Sequence, residues 1–362
     1  MPALQSAVLE ANDHDAAVED LHRARLTDGL PVIVPTPERV ERMLLYAPGF
    51  DGDLVIGTVA PGEGALTVEK AAINAVMAGC TDEMFPLVLA ACEALTSPEF
   101  EVGPMQATTH AVTPLIVVNG PGRDFFGVHS GSGALGPGFR VNATLGRAIR
   151  LIMLNVGRGI PGVGDMSTVG SPAKFCCCIA ESEEDNPFEP LHVSLGYDAD
   201  ETTVTMLGVE GPHSLLFAVD DVSRDGEMFL RALAAAFANS ASNNIYFQQG
   251  NVAAILNPTH VQAVHGSGFT RRAAQEMIFE HAVRSREELR RHVGGTVVVA
   301  PGTDDSLRVV QRPEDILLLV AGGEGGAYST YFPTWGGGAN GNRAVTRRVR
   351  FDAGCEMPAS LR

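Results

Sequence analysis

Three consecutive cysteines, Cys176, Cys177 and Cys178, follow Lys174-Phe175 and precede an acidic run from Glu181 to Asp185. Neighbours on a strand point to opposite faces, so Cys176 and Cys178 share one side while Cys177 faces away. Metal chelation wants a CxxC or further histidine spacing that this stretch lacks. A nucleophilic thiol needs a cation or base that favours the thiolate. Lys174 is close in sequence, and His110, His129 or His192 are histidines that the fold could bring close. The competing reading is three small buried hydrophobes in a strand. Cys80, at a helix end in a glycine corner, carries the same two readings, while Cys92 in an apolar helix reads as core and Cys355 as an incidental tail residue.

Other chemistry-bearing residues surround this run. His110 lies in a polar Thr-Thr-His cluster just before an apolar segment, a place where a general base is well held or a structural histidine is satisfied. Two glycine-dense turns each follow an apolar run: one spans 131–138 and includes Gly136 and Gly138, and the other spans 321–328 and ends in Ser329-Thr330. Backbone N–H groups in such turns favour a bound carboxylate or phosphate, and Arg123, Arg140 and Arg147 lie near the first. Neither turn fits a phosphate-loop or dinucleotide fingerprint, and both can equally be tight structural turns. A divalent-cation site built from His110 or His129 with Asp165 and Glu181 is the metal-dependent alternative. The segment from Tyr328 to Trp335 reads either as a lid over a ligand or as a packed loop.

Composition narrows the classes. The 362 residues carry 43 acids against 26 bases, a net charge of −17. No sustained basic run is present, so nucleic acid is not expected as a partner. No stretch of about 18 apolar residues suggests a membrane span, and the acidic N-terminus lacks the layout of a signal peptide. Six cysteines without regular spacing fit reduced thiols in a cytoplasm.

The elements that must position these residues alternate between strand and helix patterns, which points to an α/β fold with parallel pairing. Short apolar strands are expected at 30–34, 54–59, 115–118, 213–220 and 251–258, and at Ile316–Val320. Helices are expected after the caps Thr36, Thr67 and Thr270 and over the run from Leu145 to Met153. The helices on either side of Gly79-Cys80 make a buried hairpin. Alternating hydrophobics around Val193, Leu195, Val204 and Met206 read as strands. The expected layout is a flexible tail (1–20), an N-terminal mixed α/β domain bearing the glycine-rich site loops (21–205), a C-terminal α/β domain with a mostly parallel sheet and crossover helices (206–350), and a second tail (351–362).

The stretches Thr27 to Val40, Thr67 to Cys80, Pro114 to Pro121, Leu135 to Ala148 and Lys174 to Glu184 together resemble a family of uncharacterised bacterial proteins. The resemblance covers most of the first 195 residues and implies no particular reaction. It does imply that Asn74, Cys80, Asn119, Arg140, Asn142, Arg147 and Cys178 belong to one recurring constellation, with the Cys176-Cys177 pair a local variation. The expectation that follows is a cytoplasmic, homo-oligomeric enzyme of lyase or hydrolase type acting on a small anionic organic molecule. Cys178, Cys80 and His110 act as catalytic groups in this reading. Asn119, Arg140, Asn142, Arg147, Gly136, Gly138 and Ser329 hold the substrate, with no metal ligand assigned and the cofactor unknown. The alternatives are the metal-dependent enzyme and a non-catalytic subunit of a heteromeric complex.

Overall fold

The computed structural model describes residues 4–47, 49–293 and 305–351. Helix α1 (His14–Arg23) is capped by Asp13, whose carboxylate accepts from the Ala16 N–H. Helix α2 (Pro37–Leu44) begins with proline in its first turn. A small hairpin of β1 (Val55–Val59) and β2 (Gly64–Thr67) leads into α3 (Val68–Ala78). Thr67 caps α3 by accepting from the Lys70 N–H, and Gly79 ends it at φ 93°, so the chain reverses into α4 (Phe85–Leu95) as the hairpin pattern requires. Short α5 (Val102–Ala107) precedes β3 (Thr113–Asn119), and α6 (Gly122–Phe126) and α7 (Arg140–Asn155) lead to β4 (Cys178–Ala180). Then come α8 (Leu191–Ser194), β5 (Thr203–Val209), β6 (His213–Leu216), α9 (Gly226–Phe237), α10 (Asn243–Phe247) and β7 (Val252–Leu256). Helices α11 (Pro258–Gly266) and α12 (Arg271–His281), strand β8 (Val283–Ser285), helix α13 (Arg286–Val293) and strand β9 (Ser306–Arg308) follow. The last strands are β10 (Ile316–Val320), β11 (Tyr328–Phe332) and β12 (Val345–Arg348).

Two four-stranded sheets form the centre, in the orders β12-β5-β3-β4 and β10-β7-β11-β6. Each contains one parallel pair, β3 with β4 and β7 with β10, and two antiparallel pairs. The C-terminal sheet is therefore mixed rather than mostly parallel. Alternation along the strands sorts side chains into two layers. Leu115, Val117, Ile179 and Leu207 from the first sheet meet Ala253, Ile255, Leu317 and Leu319 from the second in a core between the sheets. The opposite faces carry Ile116, Val118, Cys178 and Met206 against α3, α4 and α7, and Val252, Ala254, Leu318 and Val320 against α9, α11 and α12. The result is a helix–sheet–sheet–helix sandwich of mixed α/β class.

The two sheets exchange strands. The chain leaves β5 in the first sheet and enters β6 in the second, and it leaves β11 in the second and returns as β12 to pair with β5. The boundary expected at 205/206 falls inside β5.

Other expectations meet the structure differently. Residues 30–34 form no strand, although the Ile33 N–H donates to the Met77 carbonyl. The stretch around Val193 is the single helical turn α8, because Pro190 sets its start. The N-terminal segment is docked, with the Gln5 and Ser6 N–H groups donating to Glu69 at 2.8 and 2.7 Å. Tyr328 to Phe332 is strand β11, and the lid reading does not describe it. Cys355 and positions 352–362 lie outside the described residues. Among the described residues no helix is long and apolar enough to cross a membrane.

Candidate active site

The two glycine turns meet. Gly322 N–H donates to Ser130 O at 2.7 Å, and Gly323 packs against Ser132. The arginines expected to line a pocket between them are spent elsewhere. Arg140 donates to Gly79 O. Arg147 holds Asp28 with two 2.8 Å bonds and also reaches the carbonyls of Leu30 and Pro31. Arg123 pairs with Glu184 and donates to the carbonyls of Gly120 and Glu181. Gly136 N–H closes a turn on Gly133 O, and Gly138 adopts φ 119°. These two turns act as structural joints.

The other expected site residues also have structural partners. Asn142, buried on α7, clamps the first turn to β4 by accepting from His129 N–H and donating to the carbonyls of His129, Ala134 and Cys178. Asn119 donates to Glu181 and Glu183, and Asn74 accepts from Asn155. Ser329 accepts from the Asn257 N–H and shares a 2.6 Å bond with His260 Nδ1, while His260 Nε2 faces the Phe217 carbonyl at 2.9 Å.

Cys80 and Cys178 lie together in the helix-side core. Burial drives the Cys80 thiol up to about 12 and the Cys178 thiol well above its ordinary range. Both are therefore protonated at neutral pH, the opposite of an activated nucleophile. His110 precedes β3 and joins neither cysteine. Asn243 donates to its Nδ1 at 3.1 Å, which leaves Nε2–H to donate to Glu210 at 2.8 Å. His129 stacks on Phe139, and Asp165 and Glu181 have separate surroundings. Among the described residues no three His, Cys, Asp or Glu side chains converge as metal ligands.

A different constellation lines a cavity of about 700 Å³. Its walls are the end of α1 with the turn Thr27-Asp28-Gly29, the face of α7 that carries Arg150 and Leu154, and the long segment from Ile160 to Phe175. That segment is fastened to the chain before β3, since the Met166 and Thr168 N–H groups donate to the carbonyls of Gln106 and Thr109. Ser171 caps the short turn Pro172–Lys174 and so aims the lysine.

At the centre is Asp165, 4% exposed. Its Oδ2 accepts from Lys174 Nζ at 2.8 Å and lies 3.3 Å from Arg150 Nη1, and its Oδ1 accepts from the Ser167 hydroxyl at 2.7 Å. Burial alone would raise the Asp165 pKa. The bonds from Lys174 and Ser167 outweigh it and hold the carboxyl below its ordinary range. Burial is the main influence on Lys174 and lowers its pKa, against the opposing pull of Asp165. Two cations on one carboxylate leave the cluster positive; Arg25 adds a further cation to the wall, and Asp28, the other acid there, is already paired with Arg147. Exposed Val163, Met166, Val169 and Phe175 lie along the Ile160–Phe175 segment, and Val169 and Phe175 are in the cavity wall.

The sequence reading missed this cavity, although Thr27, Asp28, Gly29 and Lys174 belong to segments that carry the family resemblance. One signal was available. The connection from α7 to β4 is long and carries little regular structure, and such loops in compact domains usually have a function. Titratable clusters with displaced pKa values in clefts recur at reactive sites and in structural ion-pair networks alike. No family model, curated protein or solved structure matches the chain.

Proposed function

We propose that the protein is an enzyme of lyase or hydrolase type that binds a small anionic organic molecule in the cavity at Arg150, Asp165 and Lys174. One observation carries this reading: a positive, partly enclosed cluster in a chain whose net charge is −17. Arg150, which cannot lose its proton, holds the anion, with Arg25 at the wall. The Lys174–Asp165 pair moves a proton, a role the buried thiols of Cys80 and Cys178 and the doubly engaged His110 are poorly placed to take. A cavity of this size accommodates a metabolite-sized ligand.

Organisation into two α/β domains belongs to the same proposal, supported by the separate helical layers on the two sheets, as do a homo-oligomeric state and a cytoplasmic location. Thermal denaturation with a panel of carboxylates, phosphate and chloride tests the binding claim. A carboxylate is expected to raise the melting temperature of the wild type and to lose that effect in Arg150→Met. Equal stabilisation of both proteins, or none by any anion, would remove the reading.

A further inference from the structure

We propose that Lys174 is an imine-forming amine and that the cavity takes 2-oxo acids, molecules whose ketone or aldehyde carbonyl stands beside a carboxylate. This rests on the anion-binding reading above and specifies its substrate class. The chain has only two lysines, Lys70 and Lys174, against 24 arginines. Among the described residues, arginine supplies the cation in pairs with a buried partner such as Arg147 with Asp28, Arg123 with Glu184 and Arg343 with Asp315. Lys70 is half-buried on α3 and donates to Ala65 O. A guanidinium would serve an ion pair with Asp165 at least as well, being always charged and able to bind a carboxylate with two parallel bonds. An amine alone supplies a nitrogen that can shed a proton and attack a carbonyl.

The geometry suits that attack. Lys174 Nζ and Arg150 Nη1 lie 2.8 and 3.3 Å from the same oxygen, Asp165 Oδ2. A carboxylate on the arginine therefore leaves its neighbouring carbonyl carbon within reach of the amine. Both cations line the cavity, and burial, reinforced by the charge of Arg150, disfavours the ammonium form.

Asp165 Oδ2 accepts one ammonium proton, and the freed lone pair forms a bond to the carbonyl carbon. The carbonyl oxygen takes up the electron pair of its π bond and becomes a hydroxyl. It then leaves as water, carrying two of the three ammonium hydrogens, as the C–O bond breaks and a C=N bond forms. The product is a protonated imine that retains the third hydrogen. It withdraws electrons from bonds at the adjacent carbon, which is what a lyase needs.

The test uses full-length protein incubated with pyruvate, glyoxylate or oxaloacetate and then treated with sodium borohydride, with intact and peptide masses as readout. One reduced adduct per chain on the Lys174 peptide, with Lys70 unmodified, is the expected result. Lys174→Arg, which keeps a cation on Asp165, is expected to abolish the adduct and retain the thermal stabilisation by the same acids. Stabilisation of the wild type without any adduct, or with adducts on Lys70 or the N-terminal amine instead, overturns the imine while leaving the anion site standing. Neither stabilisation nor adduct with any acid removes both.

Discussion

Asp165 decides the stability of the cavity wall. Changing it to Asn keeps the shape and leaves Lys174 and Arg150 without their shared counter-charge. Removing one partner of a buried ion pair costs about 3–5 kcal/mol, so urea unfolding of Asp165→Asn is expected to show a loss of that order, partly recovered by adding Lys174→Met. The carboxyl is held below its ordinary pKa. Its contribution is therefore complete above about pH 4, the unfolded value, and disappears as pH falls through the folded-state value. The acid side of the stability profile should be shallower in the variant. Thiol chemistry gives a second check at this scale. Cys80, Cys177 and Cys178 are buried with their thiols pushed far up, so iodoacetamide at neutral pH should leave all three unmodified in the native protein. Rapid alkylation of Cys178 would restore the nucleophile reading.

The elements owe their arrangement to a few buried polar joints. Glu181 follows β4, is fully buried, and accepts from Asn119, Asn186, the Leu191 N–H and, across to the other sheet, the Val320 N–H. A glutamine there offers one acceptor oxygen in place of two. With about 1–3 kcal/mol for each donor left unpaired, Glu181→Gln should lower stability by at least about 2 kcal/mol. Burial raises the pKa of this carboxyl, so its contribution is full below the ordinary carboxyl value and declines as pH rises through the folded one. The gap between variant and wild type should narrow with rising pH. Gly120, at φ 84°, ends β3 where an added Cβ would sit 2.0 Å from Glu201 O. Gly120→Ala should be destabilising by more than about 1 kcal/mol, measured by the same unfolding curves.

Much at this scale was legible in sequence. Thr67, Thr270 and Gly79 mark their helix ends through local chemistry, and β3, β7 and β10 follow from runs of buried apolar residues. Position 193 was misread because hydrophobic alternation over so few residues fits a helical turn as well as a strand. The partners of Arg147 and Arg140 were illegible because Asp28 and Gly79 are far away in sequence, and a guanidinium near a glycine turn in sequence need not face it in space.

For the whole molecule, the exchange of β6 and β12 ties the two sheets into one structure. Calorimetry is expected to show a single transition with calorimetric and van't Hoff enthalpies equal. Two resolved transitions would mean that the halves fold independently. The same sandwich brings the turn after α1, the face of α7 and the long connection before β4 around one positive cavity, and the proposed anion binding depends on that convergence. Isothermal titration of the wild type and Arg150→Met with oxaloacetate tests it most directly. One site per chain, weakened at least about tenfold in the variant, equivalent to about 1.4 kcal/mol, is the expected result; equal affinity in both proteins, or no binding to the wild type, would contradict it.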